Sequence, residues 1–205
     1  ILSRLYYLVA FFYAYSLHHL DEALTYSVIS YQFANNSKHK LMQVLSFIPK
    51  IIAFREKKEY ENALKAVKDA RNLMIKNEVT LGKEHIDFYE ASIYLEKMNF
   101  DKAFKIVNKL LNDQSKLYDN LVNIQLSLIQ GLCYYYYENI GECLISLERA
   151  FKVCEDCNFV YKNIFVLTSI ISVLKVTGKK DDLLYKTEYL KKIMGKNIVL
   201  IKANM

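Results

Sequence analysis

The chain has 205 residues, 53% of them hydrophobic, which is enough apolar material for a sizeable buried core. One proline and five glycines argue against an all-β fold, which needs many turns. Most of the net charge of +6 lies after residue 171, where eight lysines face three acidic residues, and we interpret this basic end as a solvated terminal helix.

Apolar residues recur with helical spacing along the chain, and ten helices are predicted from them. They span residues 2–17, 21–35, 43–57, 61–76, 83–98, 101–113, 119–138, 141–156, 160–177 and 181–194. Pro49 falls inside the third helix, where it marks a first helical turn or kinks a longer helix. The apolar run Leu5–Leu17 is shorter than the roughly 20 residues of a membrane span, so we interpret it as a buried helix and expect no membrane contact.

The turn before every second helix recurs at intervals of forty residues. The segments read LDEAL from Leu20, YENAL from Tyr60, FDKAF from Phe100, IGECL from Ile140 and KDDLL from Lys180. The first four carry a small residue at their fourth position, where two helix axes must approach: Ala23, Ala63, Ala103 and Cys143. Gly131 is a further small contact on an upstream helix. A fixed period in this range is the signature of stacked helical repeats.

The four cysteines fit neither a disulfide framework nor a metal site. Cys133 and Cys143 fall on inward helix faces, while Cys154 and Cys157 form a lone C-x-x-C without a second pair or suitably spaced histidines. We therefore expect structural thiols, no cofactor, no metal and an intracellular, cytoplasmic location. The chain also lacks a phosphate loop, an H-E-x-x-H motif and a nucleophile elbow, so we expect no catalysis.

In a stacked helical repeat the first helices line the concave side, and a ligand would lie there. We predict a groove for a short linear peptide or a protein segment on that side. It consists of Phe12, Tyr15, Ile52, Arg55, His85, Phe88, Ser92, Asn123, Gln125, Leu128, Leu132, Tyr135, Thr168 and Ser172. Its amide and hydroxyl groups can pair with a peptide backbone. The alternative is that several of these side chains pack hairpin on hairpin.

The alternation of small and large residues over Gly131–Ala150 resembles a tetratricopeptide (TPR) helical hairpin, and five such hairpins cover nearly the whole chain. The resemblance implies an all-α fold, a right-handed superhelix of about five TPR-like hairpins that forms a single domain over residues 1–205. The forty-residue units and the Lys-, Asn- and Tyr-rich composition further resemble the sensor domain of the bacterial Rap, Rgg, NprR, PlcR and PrgX regulators.

This second resemblance implies a cytoplasmic, homodimeric sensor of quorum-sensing peptides in a transcription regulator. Nucleic acid would be contacted only through an amino-terminal effector domain outside these residues. The chain opens at Ile1 within a helical pattern, so we expect it to be the carboxyl-terminal part of a longer protein. Asn123 is the nearest counterpart of the family's peptide-anchoring asparagines. The alternative function is a TPR scaffold that joins protein partners.

Overall fold

The structure, a computed structural model, describes residues 1–112 and 120–203, with side chains at all of these except 161 and 195–203. The chain forms two compact units, unit 1 (Ile1–Ile106) and unit 2 (Val107–Met205). The prediction of a single domain over residues 1–205 stays a prediction.

The described residues of both units are organised as helices joined by short turns. Unit 1 contains α1 (Leu2–Phe12), a π-helical turn (Tyr13–Leu17), α2 (Leu20–Asn36), α3 (Lys40–Leu45), α4 (Phe47–Glu56), α5 (Tyr60–Asn77) and α6 (Lys83–Glu96). Helix α7 (Phe100–Leu111) begins in unit 1 and ends in unit 2. Unit 2 continues with α8 (Asn120–Tyr136), α9 (Ile140–Asp156), α10 (Val160–Thr177) and α11 (Lys180–Ala203).

The forty-residue period is confirmed by the helix starts. The second helices of the five hairpins, α2, α5, α7, α9 and α11, begin at Leu20, Tyr60, Phe100, Ile140 and Lys180. Acidic residues in the first turn of these helices also form equivalent ion pairs in successive repeats. The Lys57 ammonium lies 2.6 Å from the Asp21 carboxylate, and Lys97 pairs with Glu61 one repeat later. Equivalent positions therefore meet equivalent neighbours, as expected for a stacked repeat.

Left-handed residues end these helices at intervals of twenty. The residues with positive φ at the helix ends are His18, Lys38, Lys58, Glu78, Met98, Glu138, Asn158 and Gly178, and position 118 lies outside the described residues. At Lys58 the next amide, that of Glu59, donates to the Phe54 carbonyl at 2.9 Å, and the Lys58 amide donates to Arg55. This is the Schellman arrangement, which satisfies the last carbonyls of a helix. The same pair of bonds closes the turns at Lys38, Glu78, Met98, Glu138 and Asn158, whereas the His18 turn is closed differently.

Small residues lie where the helices approach each other, as predicted. Ala23, Ala63 and Ala103 are fully buried and Cys143 is 1% exposed. A Cβ atom placed on Gly131 would lie 3.0 Å from Leu147 Cδ2 and 3.4 Å from the Cys143 carbonyl oxygen. Helices α8 and α9 therefore pack at a distance that leaves no room for a methyl group at this position.

The third predicted helix, residues 43–57, is wrong as a single element, because it begins at Lys40 and breaks at Ser46 into α3 and α4. Pro49 is the third residue of α4 and has no amide hydrogen for the Leu45 carbonyl. Its ring would also clash with that carbonyl, so an unbroken helix is disfavoured. Of the two alternatives, Pro49 thus marks a first helical turn.

Two other predicted helix ends also differ from the structure. The first helix was predicted to residue 17, yet regular α-helix stops at Phe12 and a π-helical turn follows, closed by a bond from the His19 amide to the Tyr13 carbonyl. The last helix continues to Ala203 rather than ending at 194. The predicted boundaries at 113 and 119 lie outside the described residues. None of the helices within 1–112 and 120–203 is long and apolar enough to cross a membrane.

Candidate functional site

Three of the seven predicted groove residues of unit 1 are buried. Ile52 is 1% exposed, Phe88 5% and Ser92 7%, and the Ser92 hydroxyl donates to the Phe88 carbonyl at 3.0 Å. They lie on α4 and α6, first helices that contact each other. Their side chains therefore pack helix on helix and leave almost no surface for a ligand. By contrast, Phe12 at the end of α1 is 54% exposed, and Tyr15 in the π-helical turn is 42% exposed.

The two charged or titratable groove residues of unit 1 are half-buried and held by neighbours. Arg55 pairs with Glu56, and its Nε lies 3.4 Å from a Glu96 oxygen. Its guanidinium also lies 5.8 Å from the centre of the Tyr89 ring. His85 is half-buried at the start of α6. Arg55 is thus part of an internal charge cluster, which limits what it can offer a ligand.

The predicted groove residues of unit 2 are much more open. Leu132 is 45% exposed and Tyr135 41%, and Thr168 and Ser172 on α10 are also exposed. Leu128 is half-buried, as are Asn123 and Gln125. We call the five residues Leu128, Leu132, Tyr135, Thr168 and Ser172 the open face of unit 2.

The hydroxyl groups of this open face already donate within their own helix. Thr168 donates to the Phe165 carbonyl at 2.7 Å, and Ser172 donates to the Thr168 carbonyl at 2.8 Å. Their oxygens keep lone pairs that can accept a bond from a ligand amide. The open face therefore combines apolar side chains on α8 with hydrogen-bond acceptors on α10.

A pocket of about 390 Å³ lies in unit 1 between α2, α5 and the start of α4, and we call it the second-helix pocket. Its apolar wall consists of Val28, Tyr31, Phe47 and Leu73. The Tyr31 and Phe47 rings meet edge to face with centres 5.8 Å apart. This volume falls within the range of small-molecule sites in proteins.

Two buried serines line this pocket. Ser27 and Ser46 are each 2% exposed. The positions forty residues apart from Ser27 carry Val67, Val107, Leu147 and Thr187, and those forty apart from Ser46 carry Tyr6, Ile86, Leu126 and Val166. Each serine is smaller than the residue at every one of these positions. The two serines therefore leave the pocket wider than larger side chains would.

Three charged side chains line the second-helix pocket, Lys50, Lys76 and Asp69. The Lys50 ammonium lies 5.6 Å from the centre of the Phe47 ring and 5.9 Å from that of Phe54, within cation–π range. Within the described part of the chain, neither lysine pairs with a carboxylate.

One repeat later the equivalent place is filled from within the chain. Arg71, Asp87 and Glu90 lie forty residues after Tyr31, Phe47 and Lys50, and Arg71 pairs with both carboxylates. These acids are only 13% and 14% exposed at their side chains. The cation at this junction therefore finds its counter-ions inside unit 1.

Unit 2 has a related pocket of about 530 Å³, and polar side chains join across it. Gln130, forty residues after Glu90, donates to Asn108 at 2.7 Å. Its carbonyl oxygen accepts from Ser146 at 3.0 Å and from Arg149 at 3.2 Å. The amide of Gln130 is thus satisfied on both sides, which makes it a structural cross-link between helices.

The C-x-x-C pair does not form a reactive thiol pair. Burial is the main cause that raises the pKa of the Cys154 thiol to about 11, so it stays protonated at neutral pH. Cys157 is half-buried, and its sulfur lies 2.9 Å from the Asn120 side-chain nitrogen. The described residues contain no group of three potential metal ligands.

Comparison with known proteins bears on the fold. No protein-family model matches the sequence, and no curated protein matches it. The structure is similar to a crystal structure of nearly identical TPR-like repeats from a Podosopora anserina protein assigned as a kinesin light chain. The TM-score is 0.68 at 12% sequence identity, over 96% of this chain and 98% of that chain. The TPR-like helical repeat fold is thereby confirmed, and at this identity the likeness shows the fold alone.

Proposed function

We propose that the chain is a protein-interaction module that holds a segment of a partner protein against the open face of unit 2. The observation that carries the proposal is the contrast in exposure at one repeat position. Leu132 is 45% exposed, whereas Ile52, two repeats earlier, is 1% exposed. A leucine left uncovered where the two preceding repeats bury Ile52 and Ser92 marks a surface with unused apolar contact.

The chemistry of the open face favours a peptide-like partner over a small polar one. Leu128, Leu132 and Tyr135 are spaced as i, i+4 and i+7 on α8, which gives one continuous apolar row. Thr168 and Ser172, which share the register positions of Leu128 and Leu132 one repeat later on α10, add acceptors. Apolar side chains of a partner would bury against the row, and its amides would donate to the hydroxyl oxygens.

A narrower form of the proposal is that the partner is a short signalling peptide and the chain a sensor domain of a bacterial transcription regulator. The exposed apolar groups on α8 and the exposed hydroxyl groups on α10 support it, since a short extended peptide needs both. This narrower form further requires that a peptide suffices for binding, whereas a scaffold takes a segment of a folded partner.

The proposal is tested with a random-peptide display library selected on the whole chain. Selected peptides are then measured by calorimetry against Leu132→Asp and against Ile145→Asp, which places the same charge on the 53%-exposed Ile145 of α9. We expect Leu132→Asp to weaken binding at least about tenfold, because a carboxylate on the apolar row would be desolvated. Ile145→Asp should bind as the wild type does.

Equal binding by both variants would place the partner elsewhere and contradict the proposal, as would a selection without enriched sequences. Selected peptides that keep their affinity after trimming to a few residues favour the sensor. Peptides that bind only as part of a longer helical segment favour the scaffold.

A further inference from the structure

We propose that the second-helix pocket of unit 1 is a binding site for a carboxylic acid with a bulky apolar body. The pocket shares no residue with the open face of unit 2, so this inference stands independently of the function proposed above. It rests on three observations: a gap lined by two small buried residues, an apolar wall, and lysines that pair with no carboxylate among the described residues.

Unit 2 has a related pocket that polar side chains cross, whereas two small residues border the second-helix pocket. Ser27 on α2 and Ser46 between α3 and α4 both border it, and both are buried. Their hydroxyls donate to carbonyls of their own chain segments, at 2.7 Å to Leu24 and 2.8 Å to Gln43. The serines therefore do not bind each other across the gap, and their hydrogens are already used. Unfilled interior volume lowers stability. A ligand bound in the gap beside the two serines would restore the lost packing contacts.

The wall selects an apolar body. Val28, Tyr31, Phe47 and Leu73 give aliphatic and aromatic surface on three helices. An aromatic ring or a branched alkyl group in a space of about 390 Å³ would contact all of them. Polar ligands of the same size would lose hydration without gaining hydrogen bonds along this wall.

The lysines select a carboxylate. At the next junction Arg71 is neutralised by Asp87 and Glu90, but the positions of these acids are held here by Phe47 and Lys50. The two carboxylates that neutralise Arg71 are thus replaced in the second-helix pocket by the Phe47 ring and the Lys50 ammonium. Asp69 also lines the pocket but forms no ion pair with Lys50. Because Lys50 and Lys76 are both present with this single acid, the lining carries a net positive charge. A ligand carboxylate would complete the charge balance.

The test uses 3-phenylpropionate as the probe and follows the whole chain by NMR titration. We expect saturable binding with a Kd of about 1 mM or tighter, as is typical of a ligand this small. Two matched probes separate the contributions. Neutral 3-phenylpropanamide lacks the charge, and propionate lacks the ring, so both should bind at least about fivefold more weakly.

Variants locate the site. Ser46→Leu and Ser27→Val each install the residue type found at equivalent repeat positions, and each should weaken 3-phenylpropionate at least about tenfold by filling the gap. Circular dichroism checks that each variant is folded. Because the two substitutions are independent, the test stays valid if one variant does not fold. Lys50→Met should weaken the acid but not the amide, while Lys65→Met, on an exposed part of α5, should change neither. Asp69→Asn should strengthen acid binding by about threefold.

The acid can be a free metabolite or the carboxyl terminus of a peptide, and acetyl-Gly-Gly-Phe with a free or an amidated terminus distinguishes them. Tighter binding of the free-acid peptide than of 3-phenylpropionate identifies a peptide terminus, and the reverse order identifies a small acid. The proposal is overturned if 3-phenylpropionate does not saturate, if the amide binds equally well, or if neither filled variant weakens binding.

Discussion

Helix α4 of unit 1 and helix α8 of unit 2 share one repeat register but differ in how far they expose it. Ile48 and Ile52 on α4 are 3% and 1% exposed, whereas Leu132 on α8, which shares the position of Ile52, is 45% exposed. In unit 1 the first helix α4 contacts both α1 and α6, and these contacts cover the register position. The repeat thus fixes where a side chain points, while the packing of neighbouring first helices decides whether it is buried.

The strongest test of this comparison is truncation at the shared position. Ile52→Ala should lower the free energy of unfolding by about 3 kcal/mol, because it removes a fully buried side chain and leaves a cavity. Leu132→Ala should change it by less than about 1 kcal/mol, since much of that side chain is already in water. Urea unfolding followed by circular dichroism measures both. Equal losses would mean that the open face is in fact covered.

A second test uses pH, because all four cysteines lie in unit 2. Burial raises the pKa of the fully buried Cys154 from 9.0 to about 11, so the unfolded chain releases this proton at lower pH than the folded chain does. The resulting stability is complete below pH 9 and is lost as pH rises to about 11, on the order of 2 kcal/mol.

The pH effect is measured as the difference in unfolding free energy between pH 8 and about pH 11, for the wild type and for Cys154→Ala. The variant should lose distinctly less stability over this interval. An identical loss in both proteins would show that the Cys154 thiol does not contribute, and that tyrosines such as Tyr7, whose pKa is also raised by burial, dominate.

A third test compares small residues at one close approach. Ala91 of unit 1 occupies the repeat position of Gly131 in unit 2, and its methyl group is fully buried there. Gly131→Ala would place a methyl 3.0 Å from Leu147 Cδ2, and should destabilise by about 1–2 kcal/mol. Gly141→Ala is the matched control, because its nearest contact would be 3.9 Å away and alanine favours the helix. A stabilised Gly131→Ala, seen as a raised Tm, would show that Leu147 moves aside freely.

The smallest effect concerns the left-handed turn residues. Lys58→Gly should stabilise unit 1 by about 0.5–1 kcal/mol, because glycine adopts φ near 62° without steric strain. In unit 2 the reverse change, Gly178→Ala at φ 70°, should destabilise by a similar amount although nothing lies within 4 Å of the added methyl. Thermal unfolding reports both signs. Effects of one sign in both variants would contradict this account of the turns.

The sequence predicted the turns well because they are encoded locally. Leu20, Tyr60, Phe100, Ile140 and Lys180 begin helices because each follows a turn within a few residues of sequence. Exposure of the groove residues was not predictable in the same way. Ile52 and Leu132 are equally apolar and sit in the same register, so only contacts between distant helices separate them.

The second-helix pocket was missed although the sequence carries a signal for it. Alignment of the repeats shows serine at 27 and 46 against larger residues at all equivalent positions of the chain. Such a doubled loss of volume at one junction predicts a gap. The break at Ser46 had a signal as well, since Pro49 removes the amide that an unbroken helix requires at Leu45.

The uniform turn spacing has a consequence for how such a chain can change in length. At Lys38, Lys58, Glu138 and Asn158 the next helix begins two residues after the left-handed residue, so these junctions offer the same backbone geometry to whatever follows. An in-frame duplication or loss of forty residues can therefore begin at one of these turns and still rejoin a helix in phase. A change of twenty would instead exchange first for second helices, and would bring serine-lined and ion-paired junctions into new combinations.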